Sequence, residues 1–119
     1  MLMREQTFGA QPPVDGYGPG GFRVSGTWRT GGLVIAPSGI YPVAGDPAAA
    51  VAALLASDPD LDLLVLGQGV EIAPAPAAIR GPLESAGIGL EHMATPAACR
   101  TYNVLLGEER RVAALLIPV

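Results

Sequence analysis

The sequence predicts a small, soluble, single-domain α/β fold, and three observations carry that reading. At 119 residues the chain can bury one modest core. Half of its residues are apolar and only 15% are charged, so burial can offset the entropy of folding. The patterning then changes at Asp46: short alternating stretches between glycine turns precede it, and helices alternating with strands follow.

Residues 1–15 read as a loose, polar lead-in, with the domain spanning 16–119. Phe22 and Val24 alternate as a strand does, Leu33-Val34-Ile35 is a strand core, and Pro37-Ser38-Gly39 turns the chain into Ile40-Tyr41. Gly31-Gly32 marks a bulge or sharp bend. Asp46-Pro47 supplies an N-cap and first-turn pair for a helix whose stripe is Val51, Leu54 and Leu55. The run LDLLVLGQG is a buried strand ending in glycines. A helix follows in APAPAAIRGPLESAG, which Pro82 should break or kink by removing the hydrogen bond to residue 78. IGLEHM is the next strand. Thr95-Pro96 caps a helix that Gly107 is placed to end, and Arg111 to Ile117 closes the domain as a strand. The order β-α-β-α-β after residue 60 calls for parallel pairing.

Composition excludes several classes of function. Eleven acidic residues against seven arginines, with no lysine, give a net charge of −4, the wrong sign for a nucleic-acid partner. The N-terminal residues lack the apolar core and cleavage site of a signal peptide. The longest apolar run, Pro47 to Ala56, is too short for an integral membrane segment. A single cysteine suits a reducing compartment, so a cytoplasmic location is expected.

Motif by motif, the sequence points to no catalytic residue, metal or cofactor. Gly16, Gly18 and Gly21 spell G-x-G-x-x-G, but Pro19 interrupts them and a strand follows where a helix should open. Asp58, Asp60 and Asp62 imitate a calcium loop, yet Leu63 replaces its glycine and Gly69 its glutamate. Gly67 and Gly69 are better placed for a phosphate, after a strand and before a helix, although Ile72 stands where the third glycine belongs. One His and one Cys do not make a conventional zinc site.

The stretch around Cys99 admits three readings. With Thr95 as N-cap, Cys99 is the fourth helical residue, and the helix dipole and Arg100 would lower its pKa, with His92 a possible base. Alternatively, Cys99 fills space against the sheet. Arg100 and Asn103, neighbours at i,i+3, suit an anion or hold backbone carbonyls and Glu91 or Glu109. The candidate pocket is therefore Gly67, Gly69, Cys99, Arg100, Tyr102 and Asn103. Trp28 with Arg29 is either a partner anchor or a half-buried strand pair.

The pieces MATPAACRTYN and EERRVAA, together with LLVLGQG and FRVSGTWRTGGLVIAPSGIYP, resemble the domain of unknown function 498/598 family, which includes bacterial proteins and a mitochondrial complex I assembly factor. The matching positions are Met93, Thr95, Ala98, Arg100, Thr101, Tyr102, Asn103, Glu109, Arg111, Val112, Ala113 and Ala114, with Gly67 and Gly69. Val43, where an aromatic is expected, and Pro82 depart from the pattern. The resemblance implies a three-layer fold: a parallel-rich central sheet flanked by helices, with an N-terminal β-hammerhead or hairpin. It also implies a non-catalytic protein-interaction or assembly module with protein partners; separately, low charge and high apolar content favour self-association. The alternatives are an anion-, nucleotide- or small-molecule-binding domain and, further off, a thiol enzyme.

Overall fold

The computed structural model describes residues 11–119. Three short antiparallel strands come first: β1 (Val14–Gly18), β2 (Gly21–Val24) and β3 (Thr27–Thr30), a meander of order β1-β2-β3. The expected lead-in lies mostly outside the described residues; within them, Val14 and Asp15 already belong to β1. Gly18 pairs with Gly21 across Pro19-Gly20, with Gly20 at φ 82°. Proline followed by a left-handed glycine is the chemistry of a tight hairpin turn, not of a phosphate loop.

The chain then leaves the meander at Gly31, whose φ of 92° suits the bend expected there. It enters a five-stranded sheet built from β4 (Gly32–Ala36), β5 (Gly39–Val43), β6 (Leu63–Gln68), β7 (Gly89–Met93) and β8 (Val112–Ile117). The spatial order is β5-β4-β8-β6-β7. β8, β6 and β7 run parallel, while β4 pairs antiparallel with both β5 and β8. The sheet is therefore mixed: its parallel half is the helix-connected half, since only helices carry the chain back to start a co-directional strand.

Helices α1 (Pro47–Ser57), α2 (Ala77–Ser85) and α3 (Thr95–Gly107) complete three layers. Val34, Leu64, Leu66, Ala113 and Leu115 pack on Val51, Leu54, Ile79 and Leu83 of α1 and α2. The alternate residues Leu33, Ile35, Val65, Ala114 and Leu116 pack on Ala98 and Tyr102 of α3 and on Phe22 and Val24 of the meander. Strands covered on both faces must be apolar at every position, which is why β6 and β8 read as unbroken hydrophobic runs. Each buried Val, Leu, Ile or Phe side chain among these contributes about 1.5–3 kcal/mol.

Three local expectations change. α2 runs through Pro82. Gly81 precedes the proline, and having no Cβ it escapes part of the clash that disfavours helix there. The lost hydrogen bond would end at Ala78, which is exposed. At the other end of the chain, Ala94 is the N-cap of α3 and Thr95 is its first, fully buried residue. The helix includes Gly107, and Glu109 takes the left-handed position instead, with φ 61°. The amides of Glu109 and Arg110 donate to Leu106 O and Leu105 O at 3.1 and 3.3 Å, which closes the helix end.

Two members of the aspartate trio have separate partners. Asp46, before the trio, caps α1 by accepting from the Ala48 amide at 3.0 Å. Asp58 accepts from the Ser38 hydroxyl. Asp62 pairs with Arg111, 3.1 Å from Oδ1 to Nη2, and those hydrogen bonds hold its carboxyl below the usual range.

Candidate functional site

The glycine turn after β6 and the first turn of α3 meet at the carboxyl end of the parallel strands. The Gly69 amide donates to Thr95 Oγ1 at 2.8 Å, and the Thr95 amide donates to Gly69 O at 2.8 Å. The Thr95 hydroxyl in turn donates to Ile117 O at 2.6 Å. One threonine thus ties the ends of β6 and β8 to α3. Thr95 looks like a cap from the sequence; its burial is the signal that it binds neighbouring strands.

Gly67 lies two residues earlier, within β6. A Cβ there would stand 2.9 Å from Thr95 Oγ1, 3.0 Å from Ala98 Cβ and 3.1 Å from Leu116 Cδ2. Glycine at 67 allows α3 to lie directly on the sheet. Gly69 has φ 90°, a conformation other residues adopt at a cost. The glycines serve helix–strand contact, and the Gly69 amide, the donor that a phosphate would need, is already engaged.

The remaining expected residues divide between different settings on α3. Cys99 is in the core with Ala98 and Tyr102. It is the fifth helical residue, and burial pushes its thiol up to about 11, opposed by the charge of Arg100. The anticipated lowering is reversed, because desolvation of the thiolate outweighs a neighbouring exposed guanidinium. Tyr102 is fully buried, and its hydroxyl donates to Pro12 O at 2.6 Å. Burial raises its pKa well above the ordinary value.

Asn103 acts as a rung of a β-ladder. Its Oδ1 accepts from the Val14 amide at 2.8 Å, and its Nδ2 donates to Val14 O at 2.9 Å. That occupies both hydrogen-bonding groups of one β1 residue. Arg100 is on the outer side of α3, exposed, beside Thr101, Val104 and Leu105. His92 on β7 has Nδ1 3.2 Å from Gln68 Oε1, which also accepts from the Ala73 amide.

One exposed feature is not among the candidate residues above, and a second, Trp28, was left open between partner anchor and strand pair. The carboxyl ends of β6 and β8 open on the α1 and α2 side into a crevice lined by Leu66, Gln68, Ile117, Pro47, Pro76 and Ile79, among others. Only the general rule for parallel strands pointed to that edge. On the meander, Trp28 is 43% exposed and lies against Gly18 and Gly21. A Cβ on Gly21 would stand 2.9 Å from Trp28 Cζ2, so these glycines form the surface on which the indole rests.

Comparison with known proteins adds the following. A family model described as "Protein of unknown function (DUF498/DUF598)" matches residues 14–117. An uncharacterised protein of Rhodobacter capsulatus is 44% identical over 120 residues, covering 100% of this chain and 94% of that protein. NADH dehydrogenase [ubiquinone] 1 alpha subcomplex assembly factor 3 of Danio rerio is 34% identical over 107 residues. That match covers 86% of this chain but spans only 62% of the zebrafish protein. The crystal structure of an outer membrane protein from Bartonella henselae superposes with a TM-score of 0.85 at 38% identity, covering 92% of this chain and 96% of that one.

Proposed function

Because this chain belongs to the family described as protein of unknown function DUF498/DUF598, we propose that it is a non-catalytic protein-interaction or assembly module. The observation that carries this reading is where its polar groups go. The Thr95 hydroxyl, the Tyr102 hydroxyl and the Asn103 amide all hold the protein's own backbone. Meanwhile Val70, Ile72 and Val104 stand 73%, 62% and 60% exposed. Large side chains left in water are suited to contact with another protein. The 34% identity to an assembly factor supports the same conclusion.

We take the compartment to be the cytoplasm, in keeping with a lone buried thiol. No helix among the described residues is long and apolar enough to cross a membrane. The outer-membrane designation of the Bartonella relative makes cell fractionation a direct check.

The experiment is photo-cross-linking in cells, with a photoreactive residue placed in turn at Trp28, Ile72 and Val104. A reproducible adduct with one identified protein, absent when the residue replaces exposed Glu84, is the expected result. Adducts that never rise above the Glu84 control would end this reading.

A further inference from the structure

The chain order reverses at the carboxyl ends of the parallel strands. β6 leads through α2 to β7 on one side, and α3 then carries the chain back across to β8 on the other. An open α/β sheet presents its crevice at such a reversal. Here the crevice measures about 250 Å³. That is below the roughly 300–1,000 Å³ of small-molecule sites, and closer to what a few branched side chains fill. Apart from the Gln68 amide its lining is apolar, and that amide's oxygen already accepts from Ala73 and pairs with His92.

The border has its own character. The loop leaving β6 carries Val70 and Ile72, the two most exposed large aliphatic residues among those described. Glu71 stands exposed between them, and Asp46 directly precedes the lining residue Pro47. The arginine of this region, Arg80, is turned to Ala75 O at 2.6 Å and to Glu84 at 4.0 Å. An apolar floor is therefore flanked, along the chain, by two exposed carboxylates, Glu71 and the α1 cap Asp46.

Resting on the reading of the chain as an interaction module, we propose that this crevice seats a partner protein segment whose apolar side chains are flanked by Lys or Arg. The apolar side chains fill the space between Leu66, Ile79 and Ile117, and the flanking cations meet Glu71 and Asp46. A second copy of this chain is the poorer occupant, because its net charge of −4 would bring further carboxylates to the same border.

The test uses the full chain and a labelled synthetic peptide with a Leu-Ile-Leu centre between lysine pairs; a control peptide carries glutamate in place of lysine. Fluorescence anisotropy reads affinity, and amide chemical shifts locate the contact. Expected are shifts at Gln68, Ile79 and Ile117, affinity that falls as salt rises, and about tenfold weaker binding by Glu71→Lys and by Ile72→Ala. Both substituted positions are exposed, so the fold is retained, and Glu108→Lys, the same charge change at the exposed end of α3 on the opposite face of the sheet, should bind as the parent does. Equal binding of the glutamate peptide, shifts confined to other faces, or no binding would overturn the proposal. So would sedimentation showing a dimer that Ile72→Ala dissolves, which would assign the crevice to a second copy. If cross-linking succeeds from Trp28 or Val104 while Ile72 stays silent, the interaction reading stands and this site falls.

Discussion

Gly69 and Thr95 exchange hydrogen bonds, amide to hydroxyl and amide to carbonyl, both at 2.8 Å. This reciprocal contact joins the turn after β6 to the first turn of α3, and the same hydroxyl goes on to Ile117 O. Thr95 is therefore a structural hub, not a surface cap.

Replacing it tests that role. Thr95→Val keeps the shape and removes the hydroxyl, leaving the Gly69 amide and one lone pair of Ile117 O unpaired in a buried place. The expected loss is about 2–3 kcal/mol of unfolding free energy. Thr95→Ser keeps the hydroxyl and should lose only about 1 kcal/mol for the methyl. Urea denaturation of the three proteins at equal m-value separates the two effects.

Gly67→Ala tests the close approach of helix and sheet. The added methyl would press on Thr95 Oγ1, Ala98 Cβ and Leu116 Cδ2, at 2.9, 3.0 and 3.1 Å. Overpacking of this kind costs about 1–3 kcal/mol. The double variant with Ala98→Gly should lose less than the sum of the two single variants. Strict additivity would show that α3 does not rest on Gly67.

The Cys99 thiol should be unreactive in the folded protein. Its pKa of about 11 leaves little thiolate at pH 8, so alkylation should be far slower than in the urea-unfolded chain. The linkage has a definite sign. Above pH 9 the unfolded chain releases the thiol proton while the folded chain keeps it, so stability falls between pH 9 and about 11. The decline is on the order of 1–3 kcal/mol, at about 1.4 kcal/mol per pH unit. In Cys99→Ala the decline up to pH 10 should shrink; an unchanged profile would place its origin elsewhere.

Asn103 should govern the attachment of β1. Asn103→Ala breaks both bonds to Val14, with an expected loss of about 1–2 kcal/mol. The Val14 amide should lose hydrogen-exchange protection, while the Leu64 amide in the central sheet keeps its own. Asn103→Asp retains the acceptor but sets a carboxylate against Val14 O, so it should not rescue the strand.

Much of the fold was legible beforehand because its signals are local. The Asp46-Pro47 helix start, the alternation of Phe22 and Val24 and the unbroken apolar runs of β6 and β8 each follow from periodicity or capping chemistry within a few residues. Pro82 misled for the same reason. The rule that proline breaks helices is local; Gly81 beside it relieves part of the steric conflict, and only the fold shows that Ala78, where the lost hydrogen bond would end, is exposed. The candidate site was less legible. Gly67 and Gly69 do meet α3, but the sequence cannot say whether such a meeting leaves a cavity or fills it. Arg100 and Asn103, three residues apart, ended with different partners: one faces water, and the other holds a strand 89 residues away.

By itself, then, the sequence determined the elements, their approximate limits, the parallel half of the sheet and the family, all of which rest on patterns read along the chain. Only the tertiary structure decided that Thr95 fills the glycine turn, that Cys99 is sealed, and that the open apolar surface is at the α1 and α2 side of the strand ends. Those outcomes depend on distances of a few ångströms between segments far apart in sequence. Burial and hydrogen-bond saturation belong to the packed molecule, and no single stretch of residues carries them.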